Sequence, residues 1–120
     1  MAEILSVDDS RVIRDLMKSI LEAEGHSVTV AEDGVQALKI AREKVFDLVL
    51  SDINMPNMNG ISLLGNLRRV EGYEYTPIIM VTTENDDYKK NKSKNLGATG
   101  WLVKPFTQER ILAAVSKVLG

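Results

Sequence analysis

Four apolar runs in this 120-residue chain each stop at side chains suited to phosphate or divalent-metal chemistry. Residues 4–7 lead into Asp8-Asp9, residues 48–50 into Ser51-Asp52, residues 78–81 into Thr82-Thr83, and residues 101–103 into Lys104-Pro105. Taken singly, each has an ordinary structural role. Asp9 could cap a helix, Asp52 could open an Asx-turn, Thr82 could be a plain β-branched strand residue, and Lys104 could reach out to solvent. Their shared position just past the end of a run suggests instead one rim holding three carboxylates, a hydroxyl pair and an ammonium.

The chemistry open to such a rim is limited. Two carboxylates ~4 Å apart at an effective dielectric near 20 repel by about 4 kcal/mol, so three stay ionised together only beside a cation. Hard oxygen donors of this kind suit Mg²⁺, which takes one or two carboxylates with waters and a phosphoryl oxygen, and Mn²⁺ is a natural substitute. A carboxylate held there can attack phosphorus and form an acyl phosphate. Lys104 and the Thr82 hydroxyl would then neutralise and hydrogen-bond the phosphoryl oxygens. Other chemistries lack their residues. The only histidine, His26, falls in a predicted turn, and there is neither a Ser-His-Asp set nor a zinc-ligand spacing.

The elements that must position these groups follow from the hydrophobic period. Short apolar runs at residues 4–7, 28–31, 48–51, 78–82 and 101–103 predict strands. Between them, apolar residues fall three and four apart and predict amphipathic helices. The first should start near Ser10 and end before Gly25, burying Val12, Ile13, Leu16, Met17, Ile20 and Leu21. The second follows Asp33-Gly34 with Val35, Leu38 and Ala41 inward, and the third begins about Gly60 with Ile61, Leu64 and Leu67. The last starts from Thr107, a suitable N-cap, and buries Ile111, Leu112, Val115, Val118 and Leu119. Between Asp52 and Gly60, the turn formers Pro56, Asn57, Asn59 and Gly60 predict a loop with Asp52 at its start. Five strand–helix units this short predict right-handed crossovers and a doubly wound α/β fold, a parallel sheet with helices on both faces. In such sheets ligands bind beyond the carboxyl ends of the strands, where the polar residues lie.

Composition bounds the rest. With 44% hydrophobic residues, the chain is expected to be one domain, 1–120, with a full core. A formal net charge of -2 offers no polybasic footprint for nucleic acid. The absence of cysteine removes disulfides and thiolate chemistry and fits a reducing, cytoplasmic setting. No apolar run approaches the ~20 residues of a membrane span.

D-D near the start, E-D-G-V-Q-A-L, D-I-N-M-P-N-M-N-G in the middle, then V-T-T-E and K-P-F resemble the receiver domain of bacterial two-component response regulators, of the stand-alone CheY-like kind. The resemblance spans essentially the whole chain in the right order. It implies a flavodoxin-like sheet of order 2-1-3-4-5, with Asp52 as the phosphoacceptor and Asp8 and Asp9 as the acidic pair that binds Mg²⁺. It makes Asn54 the residue giving a backbone carbonyl to the metal, Thr82 the switch hydroxyl, and Lys104 the phosphate-contacting lysine before a cis Lys104-Pro105 bond. A sensor histidine kinase or histidine phosphotransfer protein would supply the phosphoryl group. A downstream target, in chemotaxis or a phosphorelay, would dock on the face made by the fourth and fifth helices and fifth strand, with the protein itself a monomer. Such a protein is a switch that catalyses its own phosphotransfer and slow autodephosphorylation, not a turnover enzyme.

Two departures from the family pattern fall on that output face. Trp101 stands where the family commonly has a switch Tyr or Phe, and is expected either to switch or merely to pack at a strand end. Residues 85–95, N-D-D-Y-K-K-N-K-S-K-N, replace an Ala-rich amphipathic helix with indifferent helix formers whose only apolar members are Tyr88 and, just beyond, Leu96. They predict a short or mobile fourth helix, or a solvated helix face. Two rival functions are weighed against the switch. A haloacid-dehalogenase-type aspartyl-phosphate phosphatase needs a second Asp two residues after the nucleophile, where this chain has Asn54. A flavodoxin-like flavin carrier needs a hydroxyl- and glycine-rich phosphate loop after the first strand, where Asp8-Asp9 would repel a phosphate.

Overall fold

The computed structural model describes residues 1–83 and 85–120; Glu84, the last residue of the V-T-T-E motif, lies outside the described residues. Strands and helices alternate as β1 (Glu3–Val7), α1 (Arg11–Glu22), β2 (Ser27–Ala31), α2 (Gly34–Glu43), β3 (Leu48–Ser51), α3 (Gly60–Leu67), β4 (Ile78–Thr82), α4 (Asp87–Asn95), β5 (Gly100–Val103) and α5 (Gln108–Leu119). All strands are parallel and form a sheet of order β2-β1-β3-β4-β5. The doubly wound fold and its strand order are those expected, and each expected strand is found to within a residue at its start.

The helices begin where side-chain oxygens can satisfy free backbone donors. Ser10, Asp33, Asn59 and Thr107 each accept from the amide three residues on, and Asp86 from the amide of Tyr88. Alternate strand residues feed the two faces of the sheet. Leu5, Val49 and Met80 pack with Ala37, Leu38, Leu63, Leu64 and Leu67 of α2 and α3. Ile4, Leu48, Leu50, Ile79 and Val81 pack with Met17, Ile20 and Leu21 of α1 and Ile111 and Val115 of α5. Burial on both faces is why these strands read as unbroken apolar runs. No helix among the described residues is long and apolar enough to cross a membrane.

Three expected core positions are corrected. Val12 is 74% exposed, Leu16 44% and Val35 52%. On a helix advancing about 100° per residue, Val12 and Leu16 lie roughly 100° and 60° behind Ile13, away from the Met17-Ile20-Leu21 stripe. Val35 likewise lies about 60° from Leu38 and 100° or more from Gly34, Ala37 and Ala41, at the edge of the face turned to the core. The fourth helix is present but short, 9 residues against 12 in α1 and α5. Neither apolar residue anchors it: Tyr88 is 69% exposed and Leu96 38%, and the one buried residue within α4 is Ser93.

Candidate functional site

Strand register brings the acidic residues together. Val7 lies opposite both Ala31 and Ser51, so the next residues, Asp8 and Asp52, leave the sheet side by side. The Asp8 amide donates to the Ala31 carbonyl (3.1 Å) and the Asp52 amide to the Val7 carbonyl (2.9 Å), extending the ladder to the rim. On the other side, Thr82 is paired with Val103, and the Lys104 amide donates to the Thr82 carbonyl (2.9 Å). The Lys104-Pro105 peptide bond is cis, as the resemblance implied.

The side chains then converge. Lys104 Nζ donates to Asp8 Oδ2 at 2.5 Å and to Asp52 Oδ2 at 3.2 Å, from a side chain only 12% exposed. Asp8 Oδ1 accepts from the Ser10 amide (2.9 Å) and Asp52 Oδ1 from the Ile53 amide (2.7 Å). Asp8, Asp9 and Asp52 each offer a carboxylate oxygen within 4.8 Å of the others; Asp8 and Asp52 are buried and Asp9 is exposed. Ser10, not Asp9, caps α1, which leaves the Asp9 carboxylate available to the cluster.

Electrostatics match a site short of positive charge. Burial pushes the Asp8 carboxyl above its ordinary value, and the Lys104 ammonium and Ser10 amide only partly reverse this. Burial alone would lower the Lys104 pKa, but the hydrogen bond from Asp8 and the charges of Asp8 and Asp52 outweigh it and hold the ammonium above its usual range. Lys104 thus pairs with two of the three clustered carboxylates, Asp8 and Asp52. An all-oxygen, under-compensated cluster of this size fits a hard divalent cation.

The remaining expected site residues take their places around this centre. Asn54, two residues past Asp52, lies exposed in the β3–α3 loop. Thr82 is fully buried at the end of β4. Trp101 is half-buried on β5 opposite Met80, packs against the α2–α3 core, and its buried Nε1 has no hydrogen-bond partner among the described residues. Two supports were not anticipated from sequence. Arg14 Nη1 donates to the Asp8 carbonyl (2.8 Å), and Gly60 is packed so closely that an added Cβ would lie 1.9 Å from the Asp52 carbonyl oxygen. A glycine just after two turn asparagines hinted at the second; nothing in the sequence marked the first.

The family model for the response regulator receiver domain matches residues 4–116. The chain belongs to the response regulator receiver domain family. Among curated relatives, it is 40% identical over 119 residues to the transcriptional regulatory protein CpxR of Escherichia coli, covering 99% of this receiver but 50% of CpxR. The receiver thus spans about half the length of the first curated relatives it matches. Among solved structures, the chemotaxis response regulator CheY4 of Vibrio cholerae superposes with a TM-score of 0.94 at 44% identity, covering 98% of both chains. The receiver domain of the sensor histidine kinase PA1611 from Pseudomonas aeruginosa, solved with magnesium coordinated in its active-site cleft, gives 0.91 at 28% identity over 99% of this receiver and 98% of that chain. These likenesses are to CheY-like signalling receivers, on the side of the switch and against the phosphatase and flavin-carrier alternatives.

Proposed function

We propose that this receiver, taken as one domain over residues 1–120, is a phosphorylation-operated switch in which Asp52 is the phosphoacceptor. A phosphohistidine on a sensor histidine kinase or histidine phosphotransfer protein is the donor. An Asp52 carboxylate oxygen attacks the phosphorus, the P–O bond forms as the P–N bond breaks, and the imidazole nitrogen leaves with the electron pair and takes up a proton. The observation that carries this is the Asp52 carboxylate at the end of β3, shared with Lys104 and grouped with Asp8 and Asp9.

Asp8, Asp9 and Asp52, with the Asn54 backbone carbonyl, would hold Mg²⁺, or Mn²⁺ in its place. Bound there, the ion offsets the charge that builds on the phosphoryl oxygens. Lys104 meets those oxygens with its ammonium as it exchanges Asp52 for phosphate, and the Thr82 hydroxyl donates to them from the neighbouring strand end. The group added to Asp52 carries up to two negative charges, which biases the rim around Thr82 and, through β5 and Trp101, the α4–β5–α5 face offered to a downstream target. Receivers of this kind act by protein–protein contact. Monomeric, cytoplasmic action in chemotaxis or a phosphorelay fits the lack of cysteine and the CheY-like relatives. Asn54 carries an amide, which supplies no carboxyl proton for the general acid–base step of rapid phosphatase turnover, so self-dephosphorylation is slow.

Incubation with acetyl phosphate, with and without Mg²⁺, followed by intact mass spectrometry tests the assignment. One phosphoryl group should be added to the wild type in Mg²⁺ and none to Asp52→Asn. Equal labelling of both proteins would remove Asp52 from the role.

A further inference from the structure

The acid-bearing loops of this site are braced from a neighbouring connection, the one between β2 and α2. The β3–α3 loop, residues 52–59, carries Asp52 and Asn54, and its own bonds include the Gly60 amide to the Ile53 carbonyl (2.8 Å), the Met58 amide to the Pro56 carbonyl (2.7 Å) and the Ile53 amide to Asp52 Oδ1 (2.7 Å). Its tip is also tied to the N-terminus of α2. Asn57 Nδ2 donates to Asp33 Oδ2 (2.7 Å), and the Gly34 amide donates to the Met58 carbonyl (3.1 Å). Asn57 sits at φ +67°, a conformation that orients its amide but that most side chains disfavour. The contact is close: a Cβ on Gly34 would stand 2.6 Å from the Met58 carbonyl oxygen.

The same short β2–α2 connection also braces the other acidic loop. Ala31, at the end of β2, accepts the Asp8 amide, and Glu32 Oε2 lies 3.8 Å from Arg14, whose other guanidinium nitrogen donates to the Asp8 carbonyl. Residues 31–34 thus touch the backbones on both sides of the carboxylate cluster.

We propose that Asp33 is a positioning residue for the phosphoacceptor site, acting through Asn57 to fix the Asp52–Asn54 loop against the Asp8–Asp9 loop. One oxygen, Oδ1, caps α2 by accepting from Gln36 (2.8 Å), while the other, Oδ2, is committed to Asn57. The division of labour matters because magnesium demands near-ideal octahedral placement of its oxygens, so a small drift of one loop relative to the other weakens the site. The proposal depends on Asp52 being the phosphoacceptor and on the acidic cluster holding Mg²⁺.

The polarity of the Asp33–Asn57 bond gives a test that separates positioning from capping. Asp33→Asn keeps an Oδ1 for Gln36 but replaces the charged acceptor with a neutral amide, so any bond to Asn57 loses its charge assistance. Asn57→Asp presents a carboxylate to a carboxylate. The double variant restores the bond with donor and acceptor exchanged, and Asp tolerates a positive φ as Asn does. Mg²⁺ affinity by calorimetry and the initial rate of labelling by acetyl phosphate are read for each, with thermal unfolding alongside. Losing this charge-assisted hydrogen bond, or reducing it to a neutral one, should weaken Mg²⁺ binding and slow labelling by roughly tenfold in each single variant. The double variant should return to within about twofold of wild type. Asp33→Ser, which still caps but is too short to reach Asn57, should behave as Asp33→Asn and serves if the latter folds poorly. Single variants with wild-type affinity and rate, or a double variant no better than its parents, would overturn the proposal. Failure of the wild type itself to label or to bind Mg²⁺ would instead strike at the function on which it depends.

Discussion

Replacing Lys104 with Met keeps most of the aliphatic stem and removes the one cation that, among the described residues, pairs with the buried carboxylates. At an effective dielectric near 20, charges at the observed 2.5 Å and 3.2 Å attract by about 7 and 5 kcal/mol respectively, before desolvation is charged against them. Breaking a buried pair by removing one partner costs ~3–5 kcal/mol, because the other charge is left uncompensated. Asp8 can limit that cost by taking up a proton, so about 2–4 kcal/mol at neutral pH is expected, a Tm drop of roughly 10–15 °C for a domain of this size. Two features distinguish this from generic core damage. Asp8 already has a raised pKa, which loss of the ammonium raises further, so the penalty should shrink as pH falls through that raised value, where the protonated acid needs no counter-charge. Mg²⁺ should also raise the Tm of the variant by more than that of the wild type, since it supplies the missing positive charge. In the metal-free wild type the signs run the same way: Asp8 contributes stability that is full below its ordinary 3.8 and lost as pH rises through its folded value. Lys104 contributes stability that is full below 10.5 and lost above, as pH rises through its own raised value. Thermal unfolding across pH 4 to 8, with and without Mg²⁺, is the assay. A Tm loss independent of pH, with equal Mg²⁺ increments in the two proteins, would refute the electrostatic account of the site.

Gly60→Ala should destabilise the protein by about 3 kcal/mol or more, because the new methyl meets backbone atoms of Asp52 and Ile53 that no side-chain rotation can clear; an unchanged melting curve would mean the loop moves freely. In native-state hydrogen exchange, amides in residues 87–92 should exchange at least roughly tenfold faster than those of α5, since α4 is rich in Lys and Asn and buries only Ser93. The segment after α4 should be slower, because Arg68 donates to the Gly97, Tyr73 and Thr76 carbonyls (2.7 Å each) and ties the α4–β5 turn to the end of α3. Protection across α4 equal to that of α5 would show the helix to be as firmly held as the rest.

How much of this could be read from residue types follows from where each kind of information resides. Central strands buried on both faces are mostly apolar, so their bounds and the polar residues at their ends stand out in the chain; Asp8, Asp52 and Thr82 were legible for that reason, and Lys104 because it ends the shorter, half-buried apolar run of β5. Helix faces were less so. The apolar residues of α1 span a wider arc than the sheet covers, and only packing decides that Met17 goes in while Val12 stays out. Least legible were the contacts that fix the distance between the acidic loops. Asp33 and Asn57 stand 24 residues apart and each looks like an ordinary cap or turn former. Arg14 and Arg68 are held by main-chain carbonyls, which every residue carries and which therefore leave no mark on the sequence. The carboxylate oxygens come within 4.8 Å of one another because backbone-anchored loops hold them there against their own repulsion. On the proposal made above, such a site would keep every acidic residue and still lose Mg²⁺ when a loop bond is reversed, which would extend the chemistry of this rim to residues outside the carboxylate cluster.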